Sequence, residues 1–249
     1  MKNNRYTLQV TRYTLKDKSK ILVLLFFLFS VFCFPFSVFR FLSSSVSAEE
    51  VPFNKGETIS YRIYWKGIRI GSAKLVFGDE IILQTNTLNF KDVEKIKGDE
   101  DYFPVEVKRD IRLFGKTIQI LEKYDQKKKT IEIVREKSGK IEKQLIESDD
   151  KIHHPILLIY YCRKQELVLG KSWLINLPLA GKYRMEVTKL EEIKTPAGKY
   201  QAYCVESFPA KIKFWISADK KHLPLKIEKD DSYFTRSSLV MTNFSGGTE

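Results

Sequence analysis

The stretch TISYRIYW, residues 58–65, decides the fold. Ile59, Tyr61, Ile63 and Trp65 alternate with Ser60, Arg62 and Tyr64. A period of two sends one set to a buried face and the other toward water, which is the signature of a strand packed on one side. Outward from it the same rhythm recurs: AKLVFG (73–78), IILQTNTLNF (81–90), FPVEVKRDIRLFG (103–115), TIQILEKYD (117–125), TIEIVREK (130–137) and KIEKQLI (140–146). It resumes in KSWLINLPL (171–179), KYRMEVTKLEEI (182–193), KYQAYCVES (199–207), AKIKFWIS (210–217), LPLKIEK (223–229) and SYFTRSSLVMTNF (232–244). Gly115-Lys116 and Ser138-Gly139 read as hairpin turns, and Thr195-Pro196-Ala197-Gly198 as a β-turn. The charged segment KDVEKIKGDED (91–101) reads as a loop or short helix.

One segment has a different pattern. HHPILLIYYCRK (153–164) is apolar nearly all round, and its Pro155 suits a first turn. It predicts one short buried helix, capped by Asp149 or Asp150. About twelve strands with short connections imply antiparallel neighbours, and so many in one domain curl up. The expected fold is therefore mainly β: an antiparallel curled sheet or barrel-like single domain over residues 49–244, followed by a fraying tail at 245–249. Trp65, Trp173 and Trp215 are expected to fix its core.

The first 48 residues differ in composition from the rest. The chain of 249 residues carries a formal charge of +12, and half of it sits here. Seven basic residues (Lys2, Arg5, Arg12, Lys16, Lys18, Lys20, Arg40) face one acid, Asp17, whereas the remaining 36 basic and 30 acidic residues are well mixed. A basic start, the apolar run from Ile21 to Phe39 and the small-residue end FLSSSVSA form a secretory signal, with cleavage expected after Ala48. An uncleaved membrane anchor is the alternative, since the run is long enough to span a bilayer. Both readings export the domain to the periplasm or cell envelope, and membrane contact then runs only through an uncleaved N-terminal segment. The basicity reports translocation, so nucleic acid is not an expected partner. In an oxidising compartment Cys162 and Cys204 either form a disulfide or stay separate buried thiols.

Several segments together resemble a family of bacterial exported proteins, domain of unknown function 3108 (DUF3108). The opening is similar in Gly56-Glu57, Tyr61, Trp65, Gly67-Ile68 and Gly71-Ser72. The middle is similar in Tyr124-Asp125 and ILLIYYCRK (156–164), and the end in TPAGKYQAYCVE (195–206) and FWISADKKHLPLKIE (214–228). Cys162 stands where the family more often has an aliphatic residue, which weakens a shared disulfide. The resemblance implies a β-rich envelope protein and brings no activity with it.

Motifs of chemistry are not found. The three histidines are His153, His154 and His222, and neither a nucleophile elbow, a zinc motif nor a dinucleotide fingerprint occurs. The His153-His154 pair reads as a helix start, and Asp99-Glu100-Asp101 as a solvated loop. The sequence thus suggests a protein without catalytic residues, cofactor or metal. An enzyme would need a cleft gathering His222 with Asp219 or Asp99–Asp101. The first expectation is a binding protein that holds a lipid or other apolar ligand, lined by Phe77, Phe90, Phe103, Phe114, Trp173 and Phe214. The alternative is a structural or assembly module contacting another envelope protein, which predicts a filled interior with an exposed apolar patch or free sheet edge.

Overall fold

The computed structural model describes residues 53–177, 181–230 and 236–246. The expected signal or anchor at 1–48 lies outside the described residues. Among the described residues fourteen strands form one antiparallel sheet. They are β1 (Thr58–Trp65), β2 (Ile68–Val76), β3 (Ile81–Thr87), β4 (Phe90–Gly98), β5 (Pro104–Leu113), β6 (Lys116–Asp125), β7 (Thr130–Lys137) and β8 (Lys140–Glu147). After helix α1 (Leu157–Lys164) come β9 (Ser172–Leu177), β10 (Gly181–Thr195), β11 (Gly198–Phe208), β12 (Ile212–Ser217), β13 (Pro224–Asp230) and β14 (Arg236–Ser245).

Every strand pairs with its sequence neighbour, and β1 also pairs with β14, so the order runs from β8 down to β1 and then from β14 down to β9. The break in the meander is where α1 is inserted. The segment after β8 reaches back to β9: the His153 N–H donates to Asn176 O at 2.7 Å, and Asn176 Nδ2 donates to Ser148 Oγ at 2.8 Å. The linker thus ties the end of β8 to β9 at Asn176, and the sheet curls without closing. Ile59, Tyr61, Ile63, Leu75, Ile96, Val107, Ile131, Ile175, Met185 and Met241 point inward and join α1 in one core. The mainly β, antiparallel, barrel-like domain with one short buried helix is thus the observed architecture.

Several local expectations change. Residues 91–101 are chiefly strand, not loop or helix: β4 turns Asp92, Glu94 and Ile96 inward. The helix begins at Leu157, and neither Asp149 nor Asp150 caps it; its N-cap is Ile156, without a side-chain bond. Residues 81–90 contain a turn at Leu88-Asn89 that separates β3 from β4. The β5–β6 turn falls on Phe114-Gly115, both at positive φ (48° and 77°), one residue before the expected position. Trp65 is 45% exposed, because β1 ends there and no interior remains for it. β14 extends to Ser245, into the expected tail.

Gly71 needs its missing side chain. A Cβ there would lie 2.3 Å from the backbone oxygen of Asn86, so the close approach of β2 to β3 depends on glycine.

Candidate functional site

The helix and the polar groups that hold it are the most elaborate construction in the fold. Leu157, Leu158, Tyr160, Cys162 and Arg163 are all at most 1% exposed. Arg163, near the helix end, makes a bidentate pair with Glu57, Nη1 to Oε1 at 2.5 Å and Nη2 to Oε2 at 2.8 Å. Its Nη2 also donates to the Lys221 carbonyl at 2.9 Å. The guanidinium lies over Phe53 at 4.5 Å and near Tyr160 at 5.3 Å. Phe53, Phe77, Tyr102 and Tyr160 pack around it edge-on or stacked. A planar, delocalised cation suits such a site better than an ammonium would. His222 Nδ1 lies 2.9 Å from the Arg163 carbonyl, which fastens the helix end to the β12–β13 turn.

The start of the helix is fastened by a second set. His154 Nδ1 accepts the Ile156 N–H at 3.3 Å, so Nε2 carries the proton and faces Glu94 at 3.3 Å. Arg109 of β5 pairs with Asp92 and reaches Glu94 at 3.5 Å. Burial works against the charge of Glu94, but the His154 hydrogen bond and the Arg109 charge outweigh it and hold the carboxyl below its ordinary value. Asp92 goes the other way, raised because burial outweighs the Arg109 bond. Tyr124 donates to Glu122 at 2.5 Å, and burial pushes its hydroxyl up. Gln126 bonds both backbone groups of Ile152. His153 Nδ1 accepts the Asn176 N–H at 3.1 Å, while its ring packs between Phe103 and Tyr161. Burial pushes its imidazole down to about 4.

These groups form latches. The bonds of His153, His154 and His222 run to the backbone or to Glu94. Of the residues weighed for an enzyme, His222 and Asp219 share one turn, where the His222 N–H donates to the Asp219 carbonyl at 3.1 Å. Asp219 accepts from Ser217 Oγ and the Lys221 N–H within its own turn, and Asp99 accepts from the Asp101 and Phe103 N–H groups in another. Among the described residues no three His, Cys, Asp or Glu side chains lie together as metal ligands would.

The six aromatics expected to line one cavity are dispersed. Phe77 belongs to the ring cluster about Arg163, and Phe103 packs on His153. Phe214 is buried core, Trp173 is half-buried against it, and Phe90 is half-exposed at the start of β4. Phe114 is 73% exposed at a turn tip. A groove of about 450 Å3 lies instead over β14, β1, β2 and β3, lined among others by Arg62, Arg69, Lys74 and Asn86, and none of the six borders it. Cys162 and Cys204 are free thiols, not a disulfide. Cys162 is enclosed by the core, and the Cys204 sulfur faces Glu206 at 3.4 Å.

The DUF3108 model, described as a protein of unknown function, matches residues 60–237, most of the folded chain. The chain belongs to the DUF3108 family. No curated protein matches it. Solved structures do. A β-barrel-like DUF1849 protein from Brucella abortus shares 7% identity over 77% of this chain and 98% of that one, with a TM-score of 0.47. A DUF1089 family protein from Pseudomonas aeruginosa shares 13% over 77% and 95%, with a TM-score of 0.38. A protein described as exported, of YmcC-like fold, from Bacteroides fragilis shares 10% over 78% and 97%, with a TM-score of 0.30. At these identities the likeness concerns the fold only. Glu57 and Arg163 of this DUF3108 chain lie in segments that carry the resemblance, and His154 in the pair read as a helix start, but the pairing of Glu57 with Arg163 and of His154 with Glu94 is not legible in the sequence. The signal for Arg163 was a cation closing an otherwise apolar helix.

Proposed function

We propose that this DUF3108 protein is a non-enzymatic component of the cell envelope that acts by binding another envelope protein along the β9 edge. The carrying observation is the contrast between the two edge strands. β8 bears Lys140, Glu142, Lys143 and Glu147, the charges that keep an edge from pairing with other chains. β9 has no charged residue, and its Leu174 is 70% exposed, close in sequence to the exposed Val168 and Leu169. His153 already engages the Asn176 N–H and carbonyl, so the stretch for strand addition is Ser172–Leu174, uncharged and with an outward leucine, where main-chain bonds would supply affinity and side-chain pockets specificity.

Export rests on the N-terminal composition. The non-enzymatic reading rests on the use of the histidines and buried carboxylates as latches. The apolar-ligand reading has less support, because α1 packs into the core cluster and the aromatics expected to line a cavity are scattered.

Photo-crosslinking from position 174 in intact cells tests the proposal. A discrete protein adduct is expected at Leu174 and none at Glu142 of β8. Adducts equal at both positions, or lipid co-purifying one-to-one with the protein by native mass spectrometry, would overturn it.

A further inference from the structure

One end of the sheet breaks the rule that turns are polar. The β1–β2, β3–β4 and β5–β6 turns carry Trp65, Ile68, Ile70, Leu88 and Phe114 at 45, 66, 41, 93 and 73% exposure. Single exposed apolar residues need no explanation, but these are contiguous. Trp65 pairs with Ile68 across the first hairpin, Gly71 pairs with Thr87 next to Leu88, and the Phe114 N–H donates to Asn89 O at 3.0 Å. Phe114 also adopts φ of 48°, a conformation costly for a bulky residue and favoured by asparagine. Neither folding nor solubility accounts for phenylalanine there.

The charges between these tips have one sign. Residues 65–70, 88–91 and 112–117 include Lys66, Arg69, Lys91, Arg112 and Lys116, all exposed, and no acid. The Lys66 ammonium lies 5.1 Å from the Trp65 ring, holding a cation against the aromatic. The groove over β14 and β1–β3 adjoins this end and shares Arg69; its lining adds Arg62 and Lys74 and contains no carboxylate. An aromatic at an apolar–water boundary, protruding aliphatics and a collar of cations are the features that bind a bilayer surface bearing anionic headgroups.

We infer that this end of the sheet docks on an anionic phospholipid bilayer, with Trp65, Ile68, Leu88 and Phe114 entering the interface and the groove cations facing the headgroups. The surface is separate from the β9 edge, so either reading can fail without the other.

Fluorescence quenching of the full chain in vesicles tests it. Its three tryptophans are Trp65, Trp173 and Trp215, so the N-terminal segment adds no signal of its own. Phosphatidylglycerol vesicles with brominated acyl chains are expected to quench a component that brominated phosphatidylcholine vesicles leave bright. Trp65→Phe should abolish that component. Leu88→Ser with Phe114→Ser should reduce it, and both sets of substitutions fall on exposed positions. Lys66→Gln with Arg69→Gln should lower the docked-to-free ratio on the order of 30-fold, from about 1 kcal/mol per cation near an anionic surface. Quenching that is absent, equal in the two lipids, or unchanged in Trp65→Phe would overturn the inference. So would adducts from position 114 that contain protein and no lipid.

Discussion

Removing the charge of Glu57 while keeping its shape, as Glu57→Gln does, leaves the Arg163 guanidinium buried at 0% exposure with its counter-ion gone. Its Nη2 still donates to the Lys221 carbonyl at 2.9 Å, but neither that carbonyl nor the rings of Phe53 and Tyr160 carry the charge of a carboxylate. Breaking a buried pair from one side costs about 3–5 kcal/mol. For a domain of this size, about 2–4 °C per kcal/mol turns that into a fall in Tm of roughly 6–20 °C. Arg163→Met, which strands the carboxylate instead, should cost a similar amount. Removing both charges in Glu57→Leu with Arg163→Met should restore most of the stability, since an apolar replacement of a buried pair is often neutral. Urea unfolding of the wild type, Glu57→Leu, Arg163→Met and the double variant gives the coupling energy. A value above about 2 kcal/mol, within the range of residues in one network, is expected. A Glu57→Gln cost below about 1 kcal/mol, where exposed ion pairs lie, or additive single effects would refute the view that the pair locks the helix.

Other consequences follow from single sites. The His153 imidazole is held down at about 4 by burial, so the unfolded chain takes up that proton first. Stability is fully present above about pH 6.5 and is lost toward pH 4, by roughly 3 kcal/mol in all; His153→Gln should flatten this part of a urea midpoint–pH profile. Gly71→Ala forces a methyl group to 2.3 Å from a backbone oxygen and should cost about 3 kcal/mol, the upper part of the overpacking range, by chemical denaturation. Burial raises both thiols, Cys204 to about 12. Iodoacetamide should therefore modify Cys162 and Cys204 only after denaturation, as mapped by peptide mass spectrometry.

Where inward residues are apolar, the sequence could be read directly. Ile59, Tyr61 and Ile63 alternate as the sheet requires, and the glycines at 139 and 198 mark their turns. β4 was illegible because its inward face begins with Asp92 and Glu94, which removes the hydrophobic period. Neither Asp149 nor Asp150 caps α1 because residues 150–153 bond to β9 and the β6–β7 turn through Asn176 and Gln126, leaving His154 to meet the helix start. The Glu57–Arg163 pair joins residues 106 apart, a separation at which local pattern carries no information.

The chain inverts the usual distribution of polarity in two places, and they are not equivalent. Asp92 and Glu94 are inside, yet each meets Arg109, and Glu94 also meets His154. Glu94 fastens the linker before α1 through His154, and Arg109 partners both carboxylates, which gives their burial a structural purpose. Leu88 and Phe114 are outside, and nothing in the fold makes use of them. A turn needing positive φ would be better served by asparagine or glycine at position 114, and a tip 93% exposed by a polar residue at position 88. Buried charge that is satisfied explains itself through folding. Exposed apolar surface that strains a turn does not, so its reason has to lie in something the protein touches.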